Sequence, residues 1–383
     1  MITLGILGST GSIGTQALQV VEALPEKIKV SALTGGSNAK LLATQALKFR
    51  PRMVAIAEKN RYPELKRLLA RTGIEILAGE DGLTAVATDP GSKTILAAIV
   101  GSAGLKPTLA AIRAGKRVAL ANKETLVMAG SLVQNEKKIS GAEILPVDSE
   151  HSAIWQCLAA GRKKEVKSLI LTASGGPFWT WSKAKMNRVT VQEALKHPNW
   201  AMGAKITVDS ATMMNKGLEI LEAKWLFDLP LAKIRVLIHP ESIVHSLVEF
   251  IDGAVIAQLG RPDMRLPIQL ALTYPYRLET SWPRLSLAGK SLTFEEPDNN
   301  RFPSLELARK AGMAGGTAPA ALNAANEIAV GEFLKGNLPF VKIPWVVEQV
   351  LDRHQVDPEP TLATILRVNN WAQDQARCII AKG

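Results

Sequence analysis

The chain opens Ile2-Thr3-Leu4-Gly5-Ile6-Leu7-Gly8-Ser9-Thr10-Gly11-Ser12-Ile13-Gly14, and this stretch decides the fold. A short apolar run reads as a buried strand, a glycine-rich turn follows at once, and a helical pattern begins. Glycines permit a tight turn and close backbone approach, and the helix N-terminus then offers N–H groups to a pyrophosphate. The spacing is GxxGxxG rather than the commoner GxGxxG, and such turns are often only structural. Set between a first strand and a first helix, this one reads as a dinucleotide cradle.

Outward from the cradle, apolar runs at 28–33, 53–57, 95–100, 118–121 and 143–147 alternate with helical patterns at 16–23, 39–49 and 63–72. That rhythm predicts an α/β domain over 1–149, a doubly wound, mostly parallel sheet of the Rossmann type. From 150 the pattern changes. Helix 152–159, strands 168–172 and 205–208, helix 212–227 and the apolar runs 234–238, 243–250 and 254–259 follow. The last three read as an antiparallel sheet with helices on one face, giving a central α+β domain over 150–274. Residues 275–300, with Pro275, Pro283 and Pro297, read as a linker. Helical patterns at 303–311, 319–334 and 344–353, each with a proline near its start, and a last one at 362–379 predict a helical C-terminal domain over 301–383.

Which dinucleotide the cradle takes is set at the end of the second strand. A carboxylate there would bond the ribose 2′-hydroxyl of NAD. The sequence instead reads Thr34-Gly35-Gly36-Ser37-Asn38, so a 2′-phosphate meets no like charge and NADP is favoured. No basic residue stands at the tip either; Lys40 is the nearest.

The net charge is +11 in a chain of 383 residues, 47% hydrophobic and 5% aromatic. Residues 1–150 carry 19 Lys+Arg and 13 Asp+Glu (+6), 151–290 carry 18 and 11 (+7), and 291–383 carry 9 and 11 (−2). The excess is spread out, and aromatic residues for base stacking are few, so anionic small molecules fit better than nucleic acid. Cys157 and Cys378 match no metal or disulfide spacing. With no apolar run of membrane-spanning length and no signal-peptide pattern, no membrane association and a cytoplasmic location are expected.

Two polar constellations stand out. Asp148-Ser149-Glu150 follows the strand 143–147, where α/β sheets bind ligands. Residues 148 and 150 share a face if the strand continues, and paired carboxylates suit a hard divalent cation. A solvated loop or a helix N-cap is the plainer reading. In Asp209-Ser210-Ala211-Thr212-Met213-Met214-Asn215-Lys216-Gly217-Leu218-Glu219, helical spacing sets Asn215 and Lys216 beside Glu219. That is an ordinary surface pair or a polar grip for a phosphorylated polyol. His197 starts His197-Pro198-Asn199-Trp200-Ala201-Met202-Gly203, read as a mobile loop able to cover a ligand. His239 and His245 read as structural, and His354 as solvated. Ser174-Gly175-Gly176-Pro177 is a phosphate cradle or merely a turn.

In order, these segments resemble the 1-deoxy-D-xylulose 5-phosphate reductoisomerase family over essentially the whole chain. Ala121-Asn122-Lys123-Glu124-Thr125, the run from His239 to Ser246, the run from Gln258 to Arg265, and Asn323-Ala324-Ala325-Asn326-Glu327 add to the match. The resemblance implies that a 1-deoxy-ketose 5-phosphate is rearranged to a branched aldehyde, which NADPH reduces to 2-C-methyl-D-erythritol 4-phosphate in the non-mevalonate isoprenoid route. It implies a homodimer acting on a sugar phosphate, with Mg²⁺ or Mn²⁺ (Co²⁺ a further option) held by Asp148, Glu150 and Glu219. Thr10, Gly11, Ser12, Ile13, Gly36, Ser37, Asn38, Asn122, Glu124 and Gly203 would contact the cofactor. Lys123, Ser149, Glu150, Ser174, His197, Ser210, Asn215, Lys216 and Glu219 would contact the substrate. Asp148, Glu150, Glu219, Lys123 and His197 would form the catalytic set, under a lid at about 197–205. The family often carries Lys or Arg where Ser37 stands. Two other readings are a thiol-dependent NADP oxidoreductase like aspartate-semialdehyde dehydrogenase, which needs a nucleophilic cysteine, and a non-catalytic NADP sensor.

Overall fold

The first strand, β1 (Ile2–Leu7), sits at the middle of a seven-stranded sheet. Leu4, Ile6 and Leu7 are completely buried, each stabilising the fold by roughly 1.5–3 kcal/mol over exposure. The structure, a computed structural model, describes residues 1–200 and 202–382; Ala201, within the expected lid, and Gly383 lie outside the described residues.

Around β1 the sheet is built from β2 (Ile28–Gly35), β3 (Met53–Ile56), β4 (Glu75–Ala78), β5 (Thr94–Ala97), β6 (Arg117–Leu120) and β7 (Glu143–Pro146). The order is β4-β3-β2-β1-β5-β6-β7 and every pairing is parallel. The connections carry α1 (Ser12–Ala23), α2 (Ala39–Phe49), α3 (Tyr62–Leu68), α4 (Gly79–Thr88), α5 (Leu105–Arg113) and α6 (Lys123–Ser140), the last broken at Ala129. The doubly wound sheet is as expected. β4, α4, α5 and α6 are additions: with four residues, none fully buried, β4 gives little hydrophobic pattern to read. Strand order reverses between β1 and β5, where an open parallel sheet leaves a crevice for a ligand.

Strand β7 ends at Pro146 and α7 (Ser149–Leu158) starts three residues later, so the strand does not continue through Asp148 and Glu150 as alternation required. Next come β8 (Val166–Ala173) and the short helices α8 (Lys183–Met186) and α9 (Val191–Ala194). They are followed by α10 (Ala204–Ala211), α11 (Met214–Phe227), β9 (Ile234–Ile238), β10 (Val244–Phe250), β11 (Val255–Leu259) and α12 (Arg265–Thr273). Helices α13 (Ser304–Ala314), α14 (Ala318–Leu334), α15 (Lys342–Arg353) and α16 (Leu362–Lys382) complete the chain.

Two expectations are overturned here. Residues 205–208 are helical, not a strand. Lys-Ile-Thr-Val favours a strand by propensity, but Val208 and Ala211 are buried on one helical face and Thr207 Oγ1 donates to the Gly203 carbonyl at 2.9 Å. The second sheet is mixed, of order β11-β10-β8-β9. β10 is antiparallel to β8 and β11, whereas β9 pairs parallel with β8. The four helices between β8 and β9 supply the long crossover a parallel pair needs.

The chain packs as two units, one of residues 1–125, 133–152 and 263–283, the other of 126–132, 153–262 and 284–383. Helix α12, unmarked in the sequence reading, belongs to the first. The core of the second joins β8, α10, α11, α13 and α14 around Leu169, Val208, Leu218, Leu305 and Ala321. Helix α14 is apolar nearly all round, as a central helix must be. Residues 275–300 hold no helix or strand, only a bridge from Ile238 to Glu295. No helix among the described residues is long and apolar enough to cross a membrane.

Candidate active site

The turn after β1 has room for glycine only at its two ends. Gly8 has φ +89, and a Cβ there would lie 2.8 Å from the Ala98 carbonyl oxygen. A Cβ on Gly14 would lie 2.3 Å from the Gly8 carbonyl oxygen and 2.5 Å from Ser9 Cα. The turn is fastened to β2: Gly8 N–H donates to Thr34 Oγ1 (2.8 Å) and Ser9 N–H to the Thr34 carbonyl (2.7 Å). Buried Ser9 and Gln45 of α2 bond twice, Ser9 Oγ to Gln45 Oε1 at 2.6 Å and Gln45 Nε2 to the Ser9 carbonyl at 2.9 Å. The first amides of α1, those of Ser12, Ile13 and Gly14, have no intrahelical acceptor, which suits them to an anion.

Beyond β2, Asn38 caps α2 by accepting from Leu41 N–H at 3.0 Å, and Ser37 is exposed. Beyond β6, the side chain of Asn122 is already committed. Its Oδ1 accepts from Thr125 N–H (3.0 Å), and its Nδ2 lies 2.6 Å from the Ile99 carbonyl, 3.0 Å from that of Gly101 and 3.1 Å from Glu124 Oε2. It therefore joins the loop after β5 to the chain that leaves β6. Next to it, Lys123 is buried and its Nζ bonds Asp148 Oδ2. His151 Nδ1 stands 3.9 Å from the same oxygen, and Ser149 Oγ donates to Glu150 Oε2 at 2.5 Å. The α7 N-terminus places these acids where its dipole stabilises negative charge.

A second constellation forms within the other unit. Strand β8 ends in a turn, Ser174-Gly175-Gly176, with φ +80 and +68 at its glycines. A Cβ on Gly176 would lie 2.8 Å from the Ser210 carbonyl oxygen, so this turn sits directly on the last turn of α10. Ser174 Oγ is 2.9 Å from His197 Nε2, while His197 Nδ1 accepts from Asn199 N–H (3.2 Å) and Trp200 N–H (3.1 Å). In the neutral ring, Nε2 therefore carries the proton and donates to Ser174. Asn199 Nδ2 anchors the 197–200 segment to the Pro240 carbonyl at 2.5 Å and Ser242 Oγ at 2.9 Å.

Met213 separates α10 from α11 in the left-handed region (φ 62), a conformation costing on the order of 1–3 kcal/mol for such a residue. The break aims the first turn of α11. There Asn215 Nδ2 donates to Glu219 Oε1 at 2.6 Å and Lys216 Nζ bonds Glu219 Oε2. Lys216 is 3% exposed and Glu219 0%, so the surface-pair reading of these residues fails.

Family models for 1-deoxy-D-xylulose 5-phosphate reductoisomerase match residues 4–130, for its C-terminal domain 144–227, and for the DXP reductoisomerase C-terminal domain 259–375. The enzyme of that name from Pelotomaculum thermopropionicum is 55% identical over 98% of this chain and 97% of its own. The chain belongs to the 1-deoxy-D-xylulose 5-phosphate reductoisomerase family. A solved family member from Zymomonas mobilis in complex with NADPH is 45% identical with a TM-score of 0.92, covering 99% of this chain and 98% of its own. Another, in complex with NADPH, fosmidomycin and magnesium, is 44% identical with a TM-score of 0.96, covering 100% and 98%.

Of the residues singled out from the sequence, Thr10, Gly11, Ser12, Ile13, Gly36, Ser37, Asn38, Asn122, Lys123, Glu124, Asp148, Ser149 and Glu150 lie in the first unit. Ser174, His197, Gly203, Ser210, Asn215, Lys216 and Glu219 lie in the second. His239 is structural as read: its Nε2 accepts from the N–H groups of Ile243 and Val244, both at 3.1 Å. His354 is not solvated; it is half-buried, 2.8 Å from Thr317 Oγ1 and packed on Trp371. Cys157 is buried, which pushes its thiol up to about 11 and makes it a poor nucleophile. Three supporting residues carried no role in the sequence pattern: Gln45, and Met213 and Asp209, which stand there only as members of the run 209–219.

Proposed function

We infer that this chain is the NADPH- and divalent-metal-dependent oxidoreductase that converts 1-deoxy-D-xylulose 5-phosphate to 2-C-methyl-D-erythritol 4-phosphate in the non-mevalonate isoprenoid route. Its membership of the family over nearly its whole length carries this reading. Residue roles follow from the chemistry of each group.

NADPH fits the cradle, where side-chain-free Gly8 and Gly14 let the backbone turn at the tip of β1. The amides of Thr10, Gly11, Ser12 and Ile13 serve the pyrophosphate, and Gly36, Ser37 and Asn38 the adenosine side. The side chain of Asn122 is spent on the protein, so its cofactor contact falls to the backbone; Glu124 and Gly203 are further cofactor contacts. A divalent cation, Mg²⁺ or Mn²⁺ with Co²⁺ also suitable, fits an all-oxygen set of Asp148, Glu150 and Glu219. When bound, NADPH supplies the hydride, and the cation supplies positive charge opposite oxygen as a carbon–carbon bond moves beside a ketone.

The chain's own residues bind and orient. Lys123 pairs with Asp148, and Lys216 and Asn215 hold the two oxygens of Glu219. Ser174 accepts from His197 and from Gly176 N–H (3.2 Å), which leaves its own O–H proton for a phosphate oxygen. Ser174, Ser210, Asn215 and Lys216 hold the phosphate, and that remote binding fixes the reacting end. Ser149, Glu150, Lys123 and His197 contact the sugar, while Trp200 and Met202 of the lid exclude water. Residues 1–149 serve the cofactor and contribute Lys123, Asp148 and Ser149 to the chemistry, 150–274 carry the rest of it and 301–383 support it, with 275–300 as linker.

We further propose a cytoplasmic homodimer. Edge strand β11 supports it, since exposed Val255 and Ile256 would cap a sheet poorly in water. One assay tests the function: loss of NADPH absorbance on adding 1-deoxy-D-xylulose 5-phosphate, with and without Mg²⁺. Metal-stimulated oxidation is expected; NADPH binding without turnover would favour a sensor instead.

A further inference from the structure

The run Asn323-Ala324-Ala325-Asn326-Glu327 on α14 has no place in the chemistry above, yet it holds a completely buried polar side chain. Asn326 Nδ2 donates to Asp209 Oδ1 at 2.7 Å, across 117 residues of sequence. Asp209 is 1% exposed, and its other oxygen is 2.9 Å from Lys205 Nζ, one turn earlier on the same helix. Lys205 lies on α10 itself, so its bond to Asp209 stays within that helix. Asn326 comes from α14 and does anchor it. Asn326 Oδ1 has no hydrogen-bond partner among the described residues. An asparagine with one buried oxygen unpaired is a poor choice for stability alone.

The residue after Asp209 is Ser210, whose carbonyl oxygen already meets the Gly176 backbone on one side. We propose that Asn326 is a positioning residue: by holding Asp209 it sets the rotation of α10 and hence where Ser210 Oγ meets the substrate phosphate. A helix turning by about 10° moves a side-chain tip at about 5 Å radius by roughly 1 Å. Misplacement of that size costs up to about 100-fold in an oriented site. The inference rests on the reading of Ser210 as a phosphate ligand.

The test uses inorganic phosphate as a competitive inhibitor of the full-length enzyme. Its inhibition constant is measured for wild type, Asn326→Ala, Asn326→Ser, Ser210→Ala and the double variant Asn326→Ala/Ser210→Ala. Loss of the tether is expected to raise the constant about tenfold, with the NADPH dissociation constant changed less than about twofold. Asn326→Ser, which keeps a donor, restores part of the loss and serves if the alanine variant does not fold. In the Ser210→Ala background the Asn326 effect disappears, as it must if Asn326 acts through Ser210. An unchanged constant in both Asn326 variants, or an effect of full size without Ser210, overturns the inference. If Ser210→Ala itself changes nothing, the reading of Ser210 falls first and takes the inference with it.

Discussion

Lys216 holds Glu219 in an ion pair three residues along α11, with both side chains out of water. A carboxylate so buried stays charged only because partners replace its hydration. Lys216→Met should therefore lower stability by about 3–5 kcal/mol in thermal melts, and added Mg²⁺ should recover more of the melting temperature than in wild type. Glu219→Gln should bind NADPH normally and lose turnover by roughly 100-fold or more, at least the loss known for residues behind a metal's ligands. Near-normal activity in Glu219→Gln would sink its assignment as a metal ligand.

The glycines of the cradle should fail in different ways. Gly14→Ala puts a methyl group 2.3 Å from a backbone oxygen, and forced overpacking costs typically about 1–3 kcal/mol. At Gly11 the backbone is ordinary (φ −82) and the nearest atom to a Cβ is 3.4 Å away. Gly11→Ala should thus keep the wild-type melting temperature while weakening NADPH, because its methyl intrudes where the pyrophosphate approaches. Melts and fluorescence titration with NADPH separate the two; equal melting temperatures for both variants would contradict the packing described.

Most of this was legible where local pattern and tertiary demand agree. The strand–turn–helix at 2–14 needs buried aliphatics, obligatory glycines and an amphipathic helix, and all three stand in consecutive residues. Helix α10 was misread because Lys-Ile-Thr-Val carries a strand's local preference, and only packing against distant helices decides the matter. The same distance hid the Asn326–Asp209 bond, since nothing local to either residue names its partner. Asp148 and Glu150 drew notice as a pair, but for a strand alternation that ends at Pro146. Lys216 and Glu219 showed their helical spacing; their burial did not show, because burial belongs to the whole fold.

Thiol chemistry gives a direct check on the hydride-transfer reading. With its thiol raised to about 11 by burial, Cys157 holds almost no thiolate at neutral pH, whereas Cys378 is exposed on α16. Iodoacetamide at neutral pH should modify one cysteine per folded chain, at position 378, and leave metal-dependent NADPH oxidation intact. Mass spectrometry gives the stoichiometry. Activity lost in step with modification of Cys157 would restore the thiol-dependent alternative.

His354 gives the helical segment a pH dependence of known sign. Burial is the cause that holds its imidazole below the ordinary value of 6.5, favouring the neutral ring in the folded state. The unfolded chain then binds the proton more readily, so stability is fully present above about 6.5 and is lost as pH falls toward the depressed folded value. Replacement by Gln keeps a group able to bond Thr317 Oγ1 but cannot titrate. His354→Gln should therefore flatten the fall of the urea midpoint below about pH 6.5, where wild type declines. A decline of equal slope in the variant would assign that pH dependence to other groups and leave His354 as packing for Trp371 alone.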